Sequence, residues 1–361
     1  MKKLNPFVIF ILYLLFAELN YAQRFNCSIS GTVLDEATKT PLVGVNVFIS
    51  ETVWGTSTDG KGNFVIKNLP HGNHEIIASI IGFEVGSFTI LLKDGEKKTH
   101  TFYLKEKAYE LETVEVQSER PVNWDNHLAV FKKLFIGQSD FSEYCFILNE
   151  EQLSFERGAA NELFASSGKQ LQIHNEALGY EIEIILMSFT WNEREGRLQY
   201  TVKPQFKELE PKDEVQKNLW NSNRQKAYLG SINHFMKAVK GNKIKNENYR
   251  IYFVPRLNRN QEFVVTAGAA EIENSWELMK KSPFPGEHIL TFGDRLAVEY
   301  DREDGSEILT SFIDLKYSEV TIDQYGYPEE YMPFQTIGYW AKLGIADWLP
   351  KYYGTEKQST N

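Results

Sequence analysis

Cysteine is scarce in this chain. Only Cys27 and Cys145 occur among its 361 residues, too few for the disulfide framework of a small secreted domain or for a cysteine zinc site. The two residues fall in parts of the chain that we predict to be different domains, so we expect two free, buried thiols. An oxidising compartment would also permit them to pair, and the sequence alone leaves that alternative open.

Positive charge is scarce as well. The chain has 39 Lys and Arg residues against 49 Asp and Glu, a net charge of −10 at pH 7, and its basic residues form no long block. Nucleic acids attract proteins through such charge, so we predict no nucleic-acid partner. The hydrophobic fraction of 42% is enough for two packed cores in a chain of this length.

Long hydrophobic runs are absent from the sequence, except for one near its start. Lys2 and Lys3 precede an apolar run from Phe7 to Ala17, and Ala22 offers a small residue for cleavage, which is the order of a secretory signal peptide. A membrane-spanning helix needs about 20 apolar residues, so an uncleaved anchor is the weaker alternative. We predict a signal peptide over residues 1–22 and an exported protein, periplasmic, outer-membrane associated or at the cell surface, with no integral span after cleavage.

Residues 23–106 contain short runs rich in β-branched and aromatic residues. The runs are Ile29–Leu34, Gly44–Ile49, Asn63–Ile66, Glu75–Ile81, Ser87–Leu92 and Thr99–Leu104. Turn sequences such as Thr40-Pro41 and Asp94-Gly95 separate them. Regularly spaced short strands with such turns predict an all-β sandwich.

The same residues carry a family resemblance. The stretches Gly31–Val33, Thr40–Val47, Gly55–Phe64, Leu69-Pro70 and Gly82-Phe83 resemble the carboxypeptidase-regulatory-like domain. The resemblance implies a transthyretin-like, seven-stranded β-sandwich. It implies no peptidase activity, because this module accompanies carboxypeptidases without carrying their chemistry. It also implies a cell-envelope setting, since the module begins many outer-membrane nutrient receptors of Bacteroidota.

Residues 107–121 are predicted to be a linker. Within them, Leu111 to Val116 is similar to the acidic, valine-rich stretch that follows the module in those receptors, and a last strand or a plain linker is the alternative. About 240 residues remain after the linker, too few for the barrel of such a receptor. We therefore expect this protein to share only the first module with them.

An α+β domain with β-structure predominating is predicted over residues 122–353, followed by a flexible tail over residues 354–361. Apolar spacing indicates a helix over residues 123–136 and a helical stretch after Pro211. Strand-like runs cover residues 145–148, 153–155, 170–174, 180–190, 197–206, 250–254, 262–266, 295–300 and 308–322. Stretches such as Gly230–Phe235 make this half resemble uncharacterised Bacteroidota envelope proteins, which implies no reaction.

The sharpest group of candidate site residues is Asn223, Arg224, Tyr228, Ser231 and His234. On one continuous helix, Arg224, Tyr228 and Ser231 would share a face with His234 at its margin. The group could then be a hydrolase site with Ser231 as nucleophile and His234 as base, a ligand-binding site, or part of the scaffold. A serine after a glycine is typical of a helix break and N-cap, and no nucleophile-elbow pattern surrounds Ser231, so the structural interpretation is favoured.

We predict no metal site and no cofactor. His71 and His74 have a spacing that could bind zinc on a helix, but Pro70 and Gly72 beside them predict a solvated turn. The acidic run over residues 301–305 is predicted to be a hairpin tip.

Aromatic residues are concentrated near the C-terminus. They are Tyr325, Tyr327, Tyr331, Phe334, Tyr339, Trp340, Trp348, Tyr352 and Tyr353. Such rings occur both in cores and at binding surfaces, including those for carbohydrate. Packing of the C-terminal part over the domain is the favoured interpretation.

The stretch GTSTDGKGNF, residues 55–64, allows three interpretations. A calcium loop of the EF-hand type needs an oxygen ligand at the third position and a carboxylate at the twelfth, where this chain has Lys61 and Pro70. A phosphate-binding loop would lead into a helix, whereas strand-like residues follow Asn63. We predict a glycine-rich hairpin turn.

These observations together predict a non-catalytic, exported envelope protein that acts through binding or assembly, with a protein or a glycan as partner. Two alternatives remain. One is a hydrolase in the second domain that uses Ser231 and His234, and the other is a glycan-binding accessory protein.

Overall fold

The structure is a computed structural model that describes residues 26–107, 121–159, 161–254, 270–284, 286–293, 295–302, 305–330 and 332–354. Strands dominate these residues, and three α-helices accompany them. The β-rich class predicted from the sequence is confirmed. The predicted signal peptide, the stretch Leu111 to Val116 and the predicted tail beyond Gly354 lie outside the described residues.

The first part of the chain is a sandwich of two sheets. Its seven strands are β1 (Cys27–Asp35), β2 (Asn46–Ile49), β3 (Gly55–Ser57), β4 (Asn63–Leu69), β5 (Gly72–Ser79), β6 (Gly86–Leu92) and β7 (Lys97–Leu104). One sheet has the order β4-β1-β7 and the other β3-β2-β5-β6. Ile29, Val33, Val47 and Ile76 are fully buried in the core of the sandwich, because alternate residues of a strand point to the same face. The predicted seven-stranded sandwich is confirmed.

Residues 55–64 do not form a hairpin turn. They contain β3 and the start of β4, and these two strands belong to different sheets. Asp59 Oδ1 accepts the N–H groups of Lys61 and Asn63, both at 2.8 Å, and Gly62 has a φ of +75°, which glycine adopts without strain. The predicted turn is present, but the hairpin is wrong, because the same turn chemistry also lets the chain cross from one sheet to the other.

A second core follows residue 121. Its elements are α1 (Trp124–Phe135), β8 (Cys145–Ile147), β9 (Leu153–Arg157), β10 (Glu162–Ser167), β11 (Leu171–Asn175), β12 (Tyr180–Asn192) and β13 (Arg197–Glu208). The sheet has the order β8-β11-β12-β10-β9, and β13 also pairs with β12. Leu128, Phe131 and Phe135 are buried on α1, at the spacing that predicted this helix.

A third core lies in the later part of the chain. The helix α2 (Glu214–Tyr228) precedes it and contributes Ala227 to the second core. The elements of the third core are α3 (Ile232–Lys240), β14 (Tyr249–Val254), β15 (Met279–Lys281), β16 (His288–Leu290), β17 (Arg295–Asp301), β18 (Ile308–Leu315), β19 (Val320–Ile322) and β20 (Phe334–Gly338). The sheets have the orders β14-β17-β18-β20 and β15-β16-β19. Phe235 and Val239 of α3 belong to the same buried cluster as Ile251 and Ile313. We propose that residues 107–121 separate the sandwich from this two-core region.

Both cysteines are buried and free, as predicted, and they lie in different cores. Burial raises the pKa of the Cys145 thiol to about 12, so the thiol stays protonated and unreactive at neutral pH. Among the described residues, no helix has both the length and the apolar character needed to cross a membrane.

The sandwich packs on the rest of the chain along a contact that we call the seam. The N–H of Glu51 donates to the carbonyl of Pro204 at 2.7 Å, and the N–H of Phe206 donates to the carbonyl of Thr52 at 2.9 Å. The N–H of Lys351 donates to the carbonyl of Glu51 at 2.6 Å. These three backbone bonds define the seam. They pair backbone groups of the sandwich with backbone groups of the second region.

Aromatic residues of the C-terminal part cover the seam. Tyr325, Tyr327 and Tyr352 form a buried cluster, and Trp54 of the sandwich packs against it. The prediction that the C-terminal part wraps over the domain is confirmed for these residues, whereas Tyr331 lies outside the described ones. Buried rings are not accessible to a polysaccharide, so these three do not form a glycan-binding surface.

His74 also lies at the seam, so the predicted solvated turn is wrong. Its side chain is 2% exposed, its Nε2 lies 2.8 Å from the carbonyl of Pro70, and its ring centroid is 6.1 Å from that of Tyr352. Burial lowers its pKa to about 4. Pro70 and Gly72 indicated the turn correctly, but residues more than 250 positions later cover it.

Candidate functional site

Two helices carry the five predicted site residues. The side chain of Asp213 caps α2, which ends at Tyr228, and Gly230 follows with a φ of +78°. Ser231 then begins α3, because its Oγ accepts the N–H of His234 at 3.2 Å. The predicted serine N-cap is confirmed. The predicted helix break is confirmed too, because the left-handed Gly230 separates α2 from α3, and the five side chains do not lie on one continuous helix.

Arg224 holds the turn that leads into β12. Its side chain is buried, its Nε donates to the carbonyl of Leu178 at 2.7 Å, and its Nη2 donates to the carbonyl of Gly179 at 3.1 Å. The guanidinium lies 4.1 Å from the ring centroid of Tyr180, a cation–π contact, and Nη1 donates to Glu208 at 3.1 Å. Arg224 therefore positions the backbone of the turn at Leu178 and Gly179.

Asn223 and Trp220 extend this contact along the same helix. Asn223 Nδ2 donates to the carbonyl of Ala177 and Trp220 Nε1 to that of Glu176, both at 2.8 Å. Gly179 fits under the indole because a Cβ there would lie 2.3 Å from the Trp220 ring. Four successive carbonyls of the turn, those of residues 176–179, thus accept hydrogen bonds from side chains of α2. These bonds fix the conformation of the turn.

The imidazole of His234 is engaged through both nitrogens. Its Nδ1 accepts the N–H of Gly230 at 3.1 Å and lies 3.0 Å from the hydroxyl of Tyr249. Its Nε2 lies 3.2 Å from Glu247 Oε2. Because a backbone N–H only donates, we assign the lone pair to Nδ1 and the proton to Nε2, which donates it to Glu247.

This geometry does not suit a serine hydrolase. The base of such a site directs its lone pair at the nucleophile, whereas the lone pair of His234 is directed at Gly230, and Ser231 Oγ caps α3. Tyr228 packs its ring 5.0 Å from that of His234, and burial raises the pKa of its phenol to about 12. That Asn223, Arg224, Tyr228, Ser231 and His234 bind a ligand stays a prediction.

Replacing Ser231 by alanine is expected to lower the free energy of unfolding by about 1 kcal/mol, the usual effect of removing an N-cap. The first turn of α3 loses the acceptor of the His234 N–H. Urea unfolding of Ser231→Ala and of Ser231→Thr, which keeps a hydroxyl, measures the effect. Equal stability of Ser231→Ala and the wild type would contradict the capping role.

The sequence has two places where metal ligands could occur, the histidine pair His71 and His74 and the acidic run over residues 301–305. In the part of the chain that the structure describes, no three His, Cys, Asp or Glu side chains are grouped so that they could hold a metal ion. At the predicted acidic hairpin, Asp301 pairs with Arg250, and Glu303 and Asp304 lie outside the described residues.

A polar groove lies between the start of α1 and the hairpin that joins β9 to β10. Its volume is about 450 Å³, and its lining residues are Asn123, Asn126, His127, Val130, Arg157 and Asn161. Small-ligand sites usually measure roughly 300–1,000 Å³, so the groove has the size of a binding site. None of its residues was predicted as a site residue.

Arg157 connects the two walls of the groove. Its Nε lies 3.4 Å from His127 Nε2, and its Nη1 lies 3.4 Å from the carbonyl of Asn161 and 3.5 Å from Glu193 Oε2. Burial, and then the charge of Arg157, lower the pKa of His127, so its ring is neutral at pH 7. Glu193 is thus the counter-ion of Arg157 beside the groove.

Part of the groove was visible in the sequence. Asn123, Asn126 and His127 have the i, i+3, i+4 spacing that places side chains on one face of a helix. Arg157 is 30 residues from His127 and reaches the groove because β9 packs beside α1, where Trp124 Nε1 donates to the carbonyl of Leu153. Sequence reasoning missed the groove because no local pattern joins its two walls.

Comparisons with known proteins identify the first part of the chain. Residues 29–116 match the profile of the CarboxypepD_reg-like domain, which confirms the predicted family of the sandwich. A search of curated proteins finds no match to the chain.

Solved structures show only distant likeness. A 5-hydroxyisourate hydrolase from Klebsiella pneumoniae is 23% identical, with 23% of this chain and 92% of that chain covered and a TM-score of 0.20. A proposed carbohydrate-binding protein from Bacteroides uniformis is 8% identical, with 82% and 99% covered and a TM-score of 0.20. A DUF3823 family protein from the same organism is 11% identical, with 82% and 98% covered and a TM-score of 0.17. TM-scores of this size carry no argument about function.

Proposed function

We propose that this protein is a non-catalytic, exported protein of the cell envelope that acts through binding or assembly. The proposal rests on the contacts that Ser231 and His234, the best candidates for catalytic residues, make within the fold. Ser231 Oγ caps α3, and His234 uses both ring nitrogens for contacts within the fold. A hydrolase would require these two side chains to rearrange before they could react.

Export is supported by the sequence. Lys2, Lys3, the apolar residues 7–17 and Ala22 have the order of a secretory signal, although they lie outside the described residues. The CarboxypepD_reg-like domain at residues 29–116 is consistent with an envelope setting. Mass spectrometry of the secreted or periplasmic chain tests this part, with a mature N-terminus at Gln23 as the expected result.

Assembly or binding is supported by the seam. The backbone bonds of Glu51 and Thr52 to the second region hold the sandwich and that region in one arrangement. A partner can therefore contact both at once without ordering a flexible linkage first, which reduces the entropy lost on binding.

The purified mature chain is expected to release no product from ester, peptide or glycan substrates. The test compares the wild type with His234→Gln and Ser231→Ala in the same panel. Background hydrolysis that is equal in all three proteins agrees with the proposal. Turnover by the wild type that is lost in both variants would establish the hydrolase alternative and overturn the proposal.

A further inference from the structure

We propose that the polar groove between α1 and the β9–β10 hairpin binds an uncharged, hydroxyl-rich ligand of about the size of a mono- or disaccharide, without cleaving it. This inference rests on the proposed binding function and names its site and ligand class. It also differs from the sequence-based idea of a glycan surface on the C-terminal aromatic rings, since three of those rings are buried at the seam.

The lining chemistry suits hydroxyl groups. Three of the six lining side chains, Asn123, Asn126 and Asn161, are carboxamides, and each carboxamide offers one acceptor oxygen and two donor hydrogens. A sugar hydroxyl both donates and accepts, so one carboxamide can bind two neighbouring hydroxyls. A neutral imidazole at His127 adds one donor, at Nδ1, because its Nε2 accepts from Arg157 Nε at 3.4 Å.

Two of these carboxamides remain accessible to a ligand. Asn126 is exposed on the first turns of α1. Asn123 occupies the N-cap position, yet among the described residues no N–H of α1 donates to its side chain. Both side chains therefore line the groove without being required to hold the helix.

The charges near the groove favour a neutral ligand over an anionic one. The guanidinium of Arg157 lies 3.5 Å from Glu193 Oε2, and Asn161 Nδ2 donates to the same oxygen at 3.3 Å. An anion would have to displace Glu193 or lie beside it. An uncharged ligand can instead accept from Arg157 donors while that ion pair persists.

The lining also argues against cleavage. Glycoside hydrolysis usually requires a pair of carboxyl groups on either side of the scissile bond, and none of the six lining residues is an Asp or Glu. Val130 provides an apolar lining side chain, against which the C–H face of a sugar ring can pack.

Isothermal titration calorimetry of the mature chain with maltose, cellobiose, mannobiose and diacetylchitobiose tests the inference. We expect at least one of these neutral disaccharides to bind, and Asn126→Ala and Arg157→Gln each to weaken that binding at least about tenfold, or about 1.4 kcal/mol. Asn218→Ala is the matched control, because Asn218 is an exposed asparagine on α2, outside the groove. It should bind as the wild type does.

Folding defects are separated from binding by a further variant. Asn126→Trp places a large side chain in the groove at an exposed position, so we expect a normal unfolding midpoint together with lost binding. The inference is overturned if no neutral disaccharide binds, if a uronic acid disaccharide binds at least about tenfold more tightly, or if the groove variants bind as the wild type does. None of these outcomes affects the non-catalytic function, which fails only if the substrate panel shows turnover.

Discussion

Arg224→Met is expected to lower the free energy of unfolding by about 3–5 kcal/mol. The carbonyls of Leu178 and Gly179 would lose their donors, and an unpaired buried polar group costs about 1–3 kcal/mol. The contact of the guanidinium with the ring of Tyr180 would be lost as well. Urea unfolding followed by tryptophan fluorescence measures the difference.

Two further variants complete this test. Arg224→Lys should recover only part of the loss, because an ammonium group cannot bridge two carbonyls and stack on a ring as a guanidinium does. Arg197→Met removes an exposed arginine that pairs with Glu195 at 2.9 Å, and surface pairs contribute about 0–1 kcal/mol. If Arg224→Met and Arg197→Met lose equal stability, Arg224 does not hold the turn.

Because of His74, the wild type is expected to lose about 3 kcal/mol of its free energy of unfolding in acid. The variant His74→Gln should not show this loss. Burial lowers the pKa of His74 from 6.5 to about 4, so below pH 6.5 the unfolded chain binds a proton that the folded chain does not. The wild type therefore loses stability as the pH falls from about 6.5 towards 4, and one pKa unit corresponds to about 1.4 kcal/mol. Glutamine does not titrate, which explains the difference between the two proteins.

Asp347 acts in the opposite direction over the same pH range. Burial raises its pKa from 3.8 to about 6, so between these values the folded chain holds a proton that the unfolded chain has released, and stability falls as the pH rises. The wild-type profile alone can therefore look flat. The measurement is the difference in free energy of unfolding between His74→Gln and the wild type, taken at pH 7.5 and at pH 4.5. The same pair of measurements is repeated with both proteins carrying Asp347→Asn. A difference that does not change with pH would show that His74 is not buried at the seam.

The fold of the first domain was the part most easily predicted from the sequence. Its turns and its short β-rich runs predicted the sandwich, and in the next domain the local spacing of Leu128, Phe131, Leu134 and Phe135 predicted α1. The sequence missed β3, since three residues, Gly55–Ser57, carry too little pattern to indicate a strand. It also missed the crossover after Asp59, because turn residues specify the bend and not the strand that follows.

The candidate sites were less open to prediction. The N-cap at Ser231 involves a residue three positions away and was predicted. The partners of Arg224 lie 45 and 46 residues away, and the two walls of the groove are brought together by the packing of α1 on β9. No local pattern specifies such contacts, so the roles of Arg224, His127 and Arg157 became apparent only in the folded chain.

The sequence by itself determined the features that depend on neighbouring residues, namely the charge, the family of the first domain, the serine cap and the β-rich class. Only the tertiary structure decided which contacts the polar side chains make. Arg224, Ser231 and His234 looked like a site because they are close in sequence, yet each is used within the fold. Asn126 and Arg157 line the same groove because burial of apolar residues brings α1 and the β9–β10 hairpin together. No local sequence pattern specifies that long-range packing.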